Sequence, residues 1–340
     1  RQIGANQNCL NQGISPSSPY GGETMTAAQN FTTNPTDARR MFLAACLDAR
    51  LPVASFEAPR TGEIELPVHI DIAQAGNSDA PAVIVICPGT RMAEGLCASG
   101  LQTTLLRAGH QTELPASIGL VMVHTVMPSE FRSAEWDISI EKGTVSTEWD
   151  DSLLAAAEFR FTEEQRKTAP ATPEETERQR WCRHVLSNIA ERFLSRARQL
   201  IFLDVHTGSG PYGEAEVVSC HMPGSSGEQR ALDLFGARAA ADGVAATNIL
   251  GPVAQGLAAS LPDREITSVV LEFGCYSLTT VLDSMLSRHE AAIAGGGRFD
   301  GLFYPEADDW RELVWEAAVD VLRLGFQSLK NNELRASPEA

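Results

Sequence analysis

Three stretches hold residue types that move protons or bind cations. Leu200 to Gly213, LIFLDVHTGSGPYG, sets Asp204 and His206 behind the apolar run Leu200-Ile-Phe-Leu203 and ahead of a Gly-rich turn with Pro211. Val83 to Glu94 ends in Arg91 and Glu94, and Ser268 to Tyr276 holds Glu272 after Val-Val-Leu. A carboxylate and an imidazole on neighbouring strand ends suit a divalent metal. Asp204, two residues before His206, would orient that imidazole from behind. A carboxylate after three apolar positions needs a partner or a raised pKa, and a raised pKa is what a general base uses. Each residue also has a plainer reading. His206 can be a hydrogen-bonded histidine at a strand end, Glu94 can pair with Arg91, and Glu272 can be half of a buried ion pair.

These side chains need strands to carry them. Ala82–Cys87, Gly119–His124, Leu200–Val205, Ala215–Cys220 and Ser268–Phe273 read as strands, the first three as buried ones. Residues 51–73 alternate apolar and polar and read as sheet-edge strands. Helices are expected over Ala38–Ala49 after the entry signal Asn34-Pro-Thr-Asp37, and over Ala98–Leu106, Ser152–Phe161, Glu177–Arg198, Gln229–Ala241, Thr280–Ala294 and Asp308–Leu329. Gly295-Gly-Gly297 would end the Thr280–Ala294 helix, and Lys167–Thr176, rich in Thr and Pro, reads as an exposed loop. Strands alternating with helices give an α/β fold with a mixed, largely parallel central sheet and helices on both faces. Ligands of such sheets sit beyond the carboxyl ends of the strands, where the three stretches converge. Residues 1–24, rich in Gln, Asn, Ser, Gly and Pro, read as a flexible leader, with 25–340 as a single domain.

The formal net charge of −17 argues against nucleic acid or an anionic membrane as partner. Seven cysteines without a CxxC pair give no zinc ribbon or redox motif. Cys87 and Cys275 read as buried thiols, and a cytoplasmic setting is expected. No apolar run approaches the ~18 residues of a membrane span.

The three stretches together resemble the zinc-carboxypeptidase superfamily, in particular its branch of bacterial proteins of unknown function. That branch reads Gly-Thr-His-Gly-x-Glu-Gly, then Asp-x-His-Thr-Gly-x-Gly-Pro-Tyr-Gly, then Glu-Phe-Gly-Thr-Tyr. This chain reads Gly89-Thr-Arg-Met-Ala-Glu-Gly95, Asp204-Val-His-Thr-Gly-Ser-Gly-Pro-Tyr-Gly213 and Glu272-Phe-Gly-Cys-Tyr276, in the same order, over roughly residues 36–328. The resemblance implies a zinc-carboxypeptidase-like fold, zinc held by Glu94 and His206, and Glu272 as the base that activates water. It also implies pocket walls formed by Thr207, Gly208 and Tyr212, and hydrolysis of an amide or peptide bond in a small-molecule or peptide substrate.

Two departures matter. Arg91 stands where the family has its first zinc-binding histidine, and a guanidinium offers no lone pair. The Asp-x-Asn-Arg-Asn-Phe stretch that grips a substrate carboxylate is missing, although Arg132 matches a family arginine upstream of it. Three readings stay open: a metallohydrolase with an altered metal site, a non-catalytic descendant that binds a small ligand or protein partner, and a metal-free enzyme using Glu272 with Arg91 as an anion-binding group. His124 and His221 are further candidates to complete a rearranged site. The arginines Arg178, Arg180, Arg183, Arg192, Arg196 and Arg198 read as a solvated helix face, and Trp136, Trp149 and Trp181 as packing residues.

Overall fold

A computed structural model describes residues 26–58, 68–89, 92–125, 181, 184–236, 257–258, 260–277, 279–280 and 303–336. Its spine is a seven-stranded sheet in the order β1-β2-β4-β3-β5-β7-β6. The strands are β1 (Val53–Glu57), β2 (His69–Gly76), β3 (Ala82–Pro88), β4 (Ile118–His124), β5 (Gln199–Ser209), β6 (Ala215–Ser219) and β7 (Glu265–Tyr276). The central four, β4, β3, β5 and β7, are parallel, while β1, β2 and β6 run antiparallel to their neighbours. Among the described residues the helices include α1 (Pro35–Asp48), α2 (Met92–Arg107), α3 (Ser226–Phe235) and α4 (Asp308–Ala336).

Apolar side chains fill both sheet faces, as buried parallel strands require. On one face Ile84, Ile86, Leu203 and Leu271 pack with α1, α2, α3 and α4 through residues such as Phe42, Leu101, Ala231 and Val314. On the other, Val83, Val85 and Phe202 pack with Val185, Ile189 and Leu194 of the helical segment 184–194, which closes with a π turn over Ala190–Leu194. The expected mixed, largely parallel sheet with helices on both faces is therefore observed. No helix among the described residues is long and apolar enough to cross a membrane.

Several boundaries differ from those read in the sequence. β5 runs on through Asp204 and His206 to Ser209, because β7 continues to hydrogen-bond with it beyond the apolar run. α2 begins at Met92 rather than Ala98, so Glu94 sits in its first turn, where the helix dipole favours a carboxylate. α3 ends at Phe235, capped by left-handed Gly236 (φ 60°), instead of running to Ala241. Of the described strands in the 51–73 region, β1 is at the sheet edge and β2 is interior, and one polar member of its alternation is a buried acid. The leader 1–24, the Ser152–Phe161 helix, the Lys167–Thr176 loop, Gly295–Gly297 and most of the Thr280–Ala294 helix lie outside the described residues.

That buried acid is Asp71. Arg39 of α1 grips it through Nε at 2.6 Å and Nη2 at 3.0 Å. Burial raises the Asp71 carboxyl, but hydrogen bonds from Arg39 and Ser55 and the Arg39 charge outweigh it, leaving the pKa lowered. Opposite Asp71 across the β2–β4 ladder lies His124, stacked on Phe42 at 4.3 Å. Ser99 Oγ donates to Ala38 O and so accepts from His124 Nε2 at 3.0 Å, which sets the tautomer. Burial pushes the imidazole down to about 4; the Asp71 charge opposes this and Arg39 reinforces it. A histidine depressed in the folded state contributes stability that is complete above its unfolded pKa of about 6.5 and lost as pH falls toward 4. The loss amounts to about 3 kcal/mol. Urea midpoints measured at pH 7.5 and 5 should fall for the wild type and fall less for His124→Gln; equal falls would refute the assignment.

Candidate functional site

The chain passes from β4, on one side of β3, to β5 on the other. The switch point is therefore the crevice between the carboxyl ends of β3 and β5, where open α/β sheets bind ligands. The sequence loads this crevice from both sides. Gly89 leaves β3 with its N–H bonded to Val205 O at 2.8 Å, and α2 then delivers Glu94. β5 delivers Asp204 and His206, two residues apart and so on one face. Glu272 is the register partner of His206 on β7, and Glu216 on β6 is the partner of Glu272 beyond it.

His206 lies between two buried carboxylates. Its Nε2 is 3.3 Å from Asp204 Oδ2, and its Nδ1 is 3.6 Å from Glu94 Oε1. The Glu94 and Asp204 side chains are 1% and 0% exposed, and that of His206 is 16% exposed. Both acids beside the imidazole's outer rim rest over glycines. A Cβ at Gly89 would collide with Glu94 Oε2, and one at Gly208 with Glu272 Oε1. Each glycine is thus the space that its carboxylate occupies, which explains two glycines of the sequence motifs without appeal to backbone conformation.

The Nδ1–Oε1 distance is informative. At 3.6 Å it is too long for a hydrogen bond. Two donors each about 2.1 Å from one tetrahedral cation stand roughly 3.4 Å apart. Asp204 Oδ2 stands at the opposite ring nitrogen, 3.3 Å from Nε2 but without hydrogen-bond geometry. A cation seated between Nδ1 and Glu94 Oε1 would match their separation. Catalytic zinc takes three protein donors, and no group of three His, Cys, Asp or Glu able to hold a metal occurs among the described residues. Glu94 and His206 could supply two donors toward such a set.

Arg91 and Arg132, the substrate-binding arginines of the sequence reading, lie outside the described residues, as do Arg178, Arg180, Arg183, Trp136 and Trp149. His124 is held by Ser99 and Phe42, two strands from His206. His221 accepts from Ser268 N at 2.8 Å, four residues before Glu272 on β7. Neither histidine joins the site. Thr207 alternates to the face opposite His206, where it is 1% exposed with no hydrogen-bond partner for Oγ1 among the described residues. Cys87 is the register partner of Asp204, and burial, reinforced by the Asp204 charge, raises its thiol pKa well above the ordinary value. Cys275 is buried as expected. Arg196 pairs with Asp79 at 3.5 Å on the surface, in keeping with a solvated face, and Trp181 packs against the core.

The helix read from Asp308 starts there, but its first turn also pins the Gly-rich turn, a contact the sequence did not reveal. Gly274 is clamped by that turn on both sides: its O accepts from Gly213 N at 2.8 Å, and its N donates to Glu214 O at 2.9 Å. Trp310 Nε1 donates to the same Gly274 oxygen at 2.9 Å. A Cβ on Gly274 would strike Pro211 O, and Gly213, at φ 73°, packs against Leu313. Asp309 accepts from the Tyr212 hydroxyl at 2.9 Å. The signal was present in the sequence as Asp308-Asp-Trp310 at a helix start, but nothing local said which loop it holds.

The glutaminyl cyclase of Fimbriiglobus ruber is similar in structure at 11% identity and a TM-score of 0.44, covering 89% of this chain and 91% of that one. The Porphyromonas gingivalis glutaminyl cyclase has 13% identity and a TM-score of 0.42 over 87% and 94%. A Zn-dependent exopeptidase of Parabacteroides distasonis has 12% identity and a TM-score of 0.39 over 88% and 94%. These likenesses are distant, and no residue role is taken from them. No curated protein matches the chain in sequence. One family matches over residues 31–134 and 176–317, spanning β3, α2, β5 and β7 with Glu94, Asp204, His206 and Glu272, and the chain belongs to it: the family described as "Protein of unknown function (DUF2817)".

Proposed function

We propose that the chain is a metallocarboxypeptidase-like hydrolase of amide or peptide bonds with a reduced cation site at Glu94 and His206. The observation that supports this reading is the 3.6 Å separation of His206 Nδ1 and Glu94 Oε1, with Asp204 behind the ring. Zinc, when bound, supplies Lewis-acid polarisation of a carbonyl. Glu94 and His206 would hold it, with Asp204 beside the ring's other nitrogen. Glu272, next to His206 in register and seated over Gly208, takes a proton from the attacking water and returns it to the leaving nitrogen. The buried carboxylates on this rim make the site attractive to cations rather than to a substrate carboxylate. This agrees with the missing Asn-Arg stretch.

A second reading keeps the fold and the crevice without turnover. It is favoured by Arg91 in the histidine position and by the incomplete donor set among the described residues. Amine release from a peptide panel, with and without added zinc, separates the two. Zinc-dependent release that disappears in His206→Ala supports the hydrolase. Peptide binding without release under either condition supports the second reading.

A further inference from the structure

We infer that Gln102 is a positioning residue for the Glu94–His206 pair: its buried carboxamide ties α2 to the carboxyl ends of β3 and β4 and so fixes where Glu94 stands against the imidazole. This inference rests on the cation-site reading and deepens it by naming the residue that sets the spacing of the two donors.

The tie sits where the sheet opens. The β3–β4 register ends at the pair Ile86–Met122, whereas the β3–β5 register runs two residues further, to Pro88 and Val205. Gln102, 0% exposed, lies at that divergence. Its Nε2 donates to Val123 O at 2.9 Å and to Ile86 O at 3.3 Å. Both partners are carbonyl acceptors, so the amide nitrogen rather than the oxygen must face the strands. Three residues earlier on α2, Ser99 donates to Ala38 O of α1 and accepts from His124 of β4. Leu96, Leu101 and Leu105 add apolar packing to the same core. Apolar burial is non-directional, whereas hydrogen bonds have preferred lengths and angles. The polar ties therefore set the helix along its axis, and those of Gln102 reach the strand that leads into the site.

Glu94 precedes Gln102 by eight residues, about 12 Å along the helix. Its Oε2 occupies the space that a Cβ on Gly89 would need, and Gly89 follows Ile86 by three residues. The end of β3 is thus held by β5 on one side and by Gln102 on the other, and Glu94 rests over that end. Loosening α2 changes the 3.6 Å separation of His206 Nδ1 and Glu94 Oε1, and a donor set works only within about 0.5 Å of its proper geometry.

The test is competitive zinc titration against a chromophoric chelator for the wild type, Gln102→Met, Glu94→Ala and the double variant, with urea midpoints measured on the same proteins. Gln102→Met should weaken zinc binding about tenfold. In the Glu94→Ala background the same change should cost less than about twofold, because it acts through Glu94. Gln102→Asn, one methylene too short to keep both bonds, goes through the same cycle with the same expectation, so the test survives if one variant does not fold. Arg230→Met removes side-chain bonds to Thr267 and Ile266 on β7 and controls for lost stability; it should bind zinc as the wild type does. Unchanged zinc affinity in every folded Gln102 variant, an equal loss with and without Glu94, or an equal loss in Arg230→Met would overturn the assignment. Absence of zinc binding by the wild type is a different result: it removes the cation site itself, and this inference with it.

Discussion

Glu272→Gln should lower the turnover number for amide hydrolysis about 10³-fold while leaving KM within about threefold. Gln fills the same space over Gly208, so the cradle that excludes a Cβ there is preserved. It cannot take a proton from water. The register pairing of His206 with Glu272 places the proposed base and the imidazole side by side on adjacent strands. Steady-state kinetics of the two proteins on one peptide decide it. A change below about tenfold would mean that Glu272 is an ion-pair partner and that the base lies elsewhere. Loss of binding rather than turnover would make it a substrate-positioning residue.

Trp310→Ala should cost about 3–5 kcal/mol of folding stability. The indole is fully buried, packs edge-on to Tyr304 at 5.7 Å and donates to Gly274 O. The substitution opens a cavity and leaves that carbonyl with the bond from Gly213 N. Trp310→Phe restores most of the volume without the N–H, so it should recover all but about 1–2 kcal/mol. Denaturant unfolding of the three proteins tests this, and a Phe variant as unstable as the Ala variant would place the whole effect in the hydrogen bond. Because Gly274 is clamped by residues 213 and 214, a loosened α4 is also expected to weaken the Tyr212–Asp309 contact.

The parallel centre of the sheet was legible because Ala82–Cys87, Gly119–His124 and Leu200–Leu203 are apolar on both faces, a pattern that only a doubly covered strand tolerates. What was not legible depended on partners distant in sequence. Asp71 made β2 read as an edge, since nothing local announces that Arg39 of α1 neutralises it. Asp204 and His206 read as the end of a strand, although β7 carries the ladder to Ser209. The start of α2 was hidden because the residue directly before Met92 is Arg91 rather than a usual capping residue. Glu94, Asp204, His206 and Glu272 were all named from strand ends and motif order. Their grouping, with the ring between two carboxylates, belongs to the register of β3, β5 and β7 and to the helical start of α2. Asp309 and Trp310 could not be attached to the Gly-rich turn from sequence, since 97 residues separate Tyr212 from the carboxylate that holds it.

The most direct test of the cation site is the zinc content of the purified protein by elemental mass spectrometry after dialysis against micromolar zinc, with Glu94→Ala and His206→Ala alongside. Close to one zinc per chain is expected in the wild type, with at least a tenfold loss of affinity in each variant. Absence of zinc from the wild type, or retention of full zinc in both variants, would contradict it.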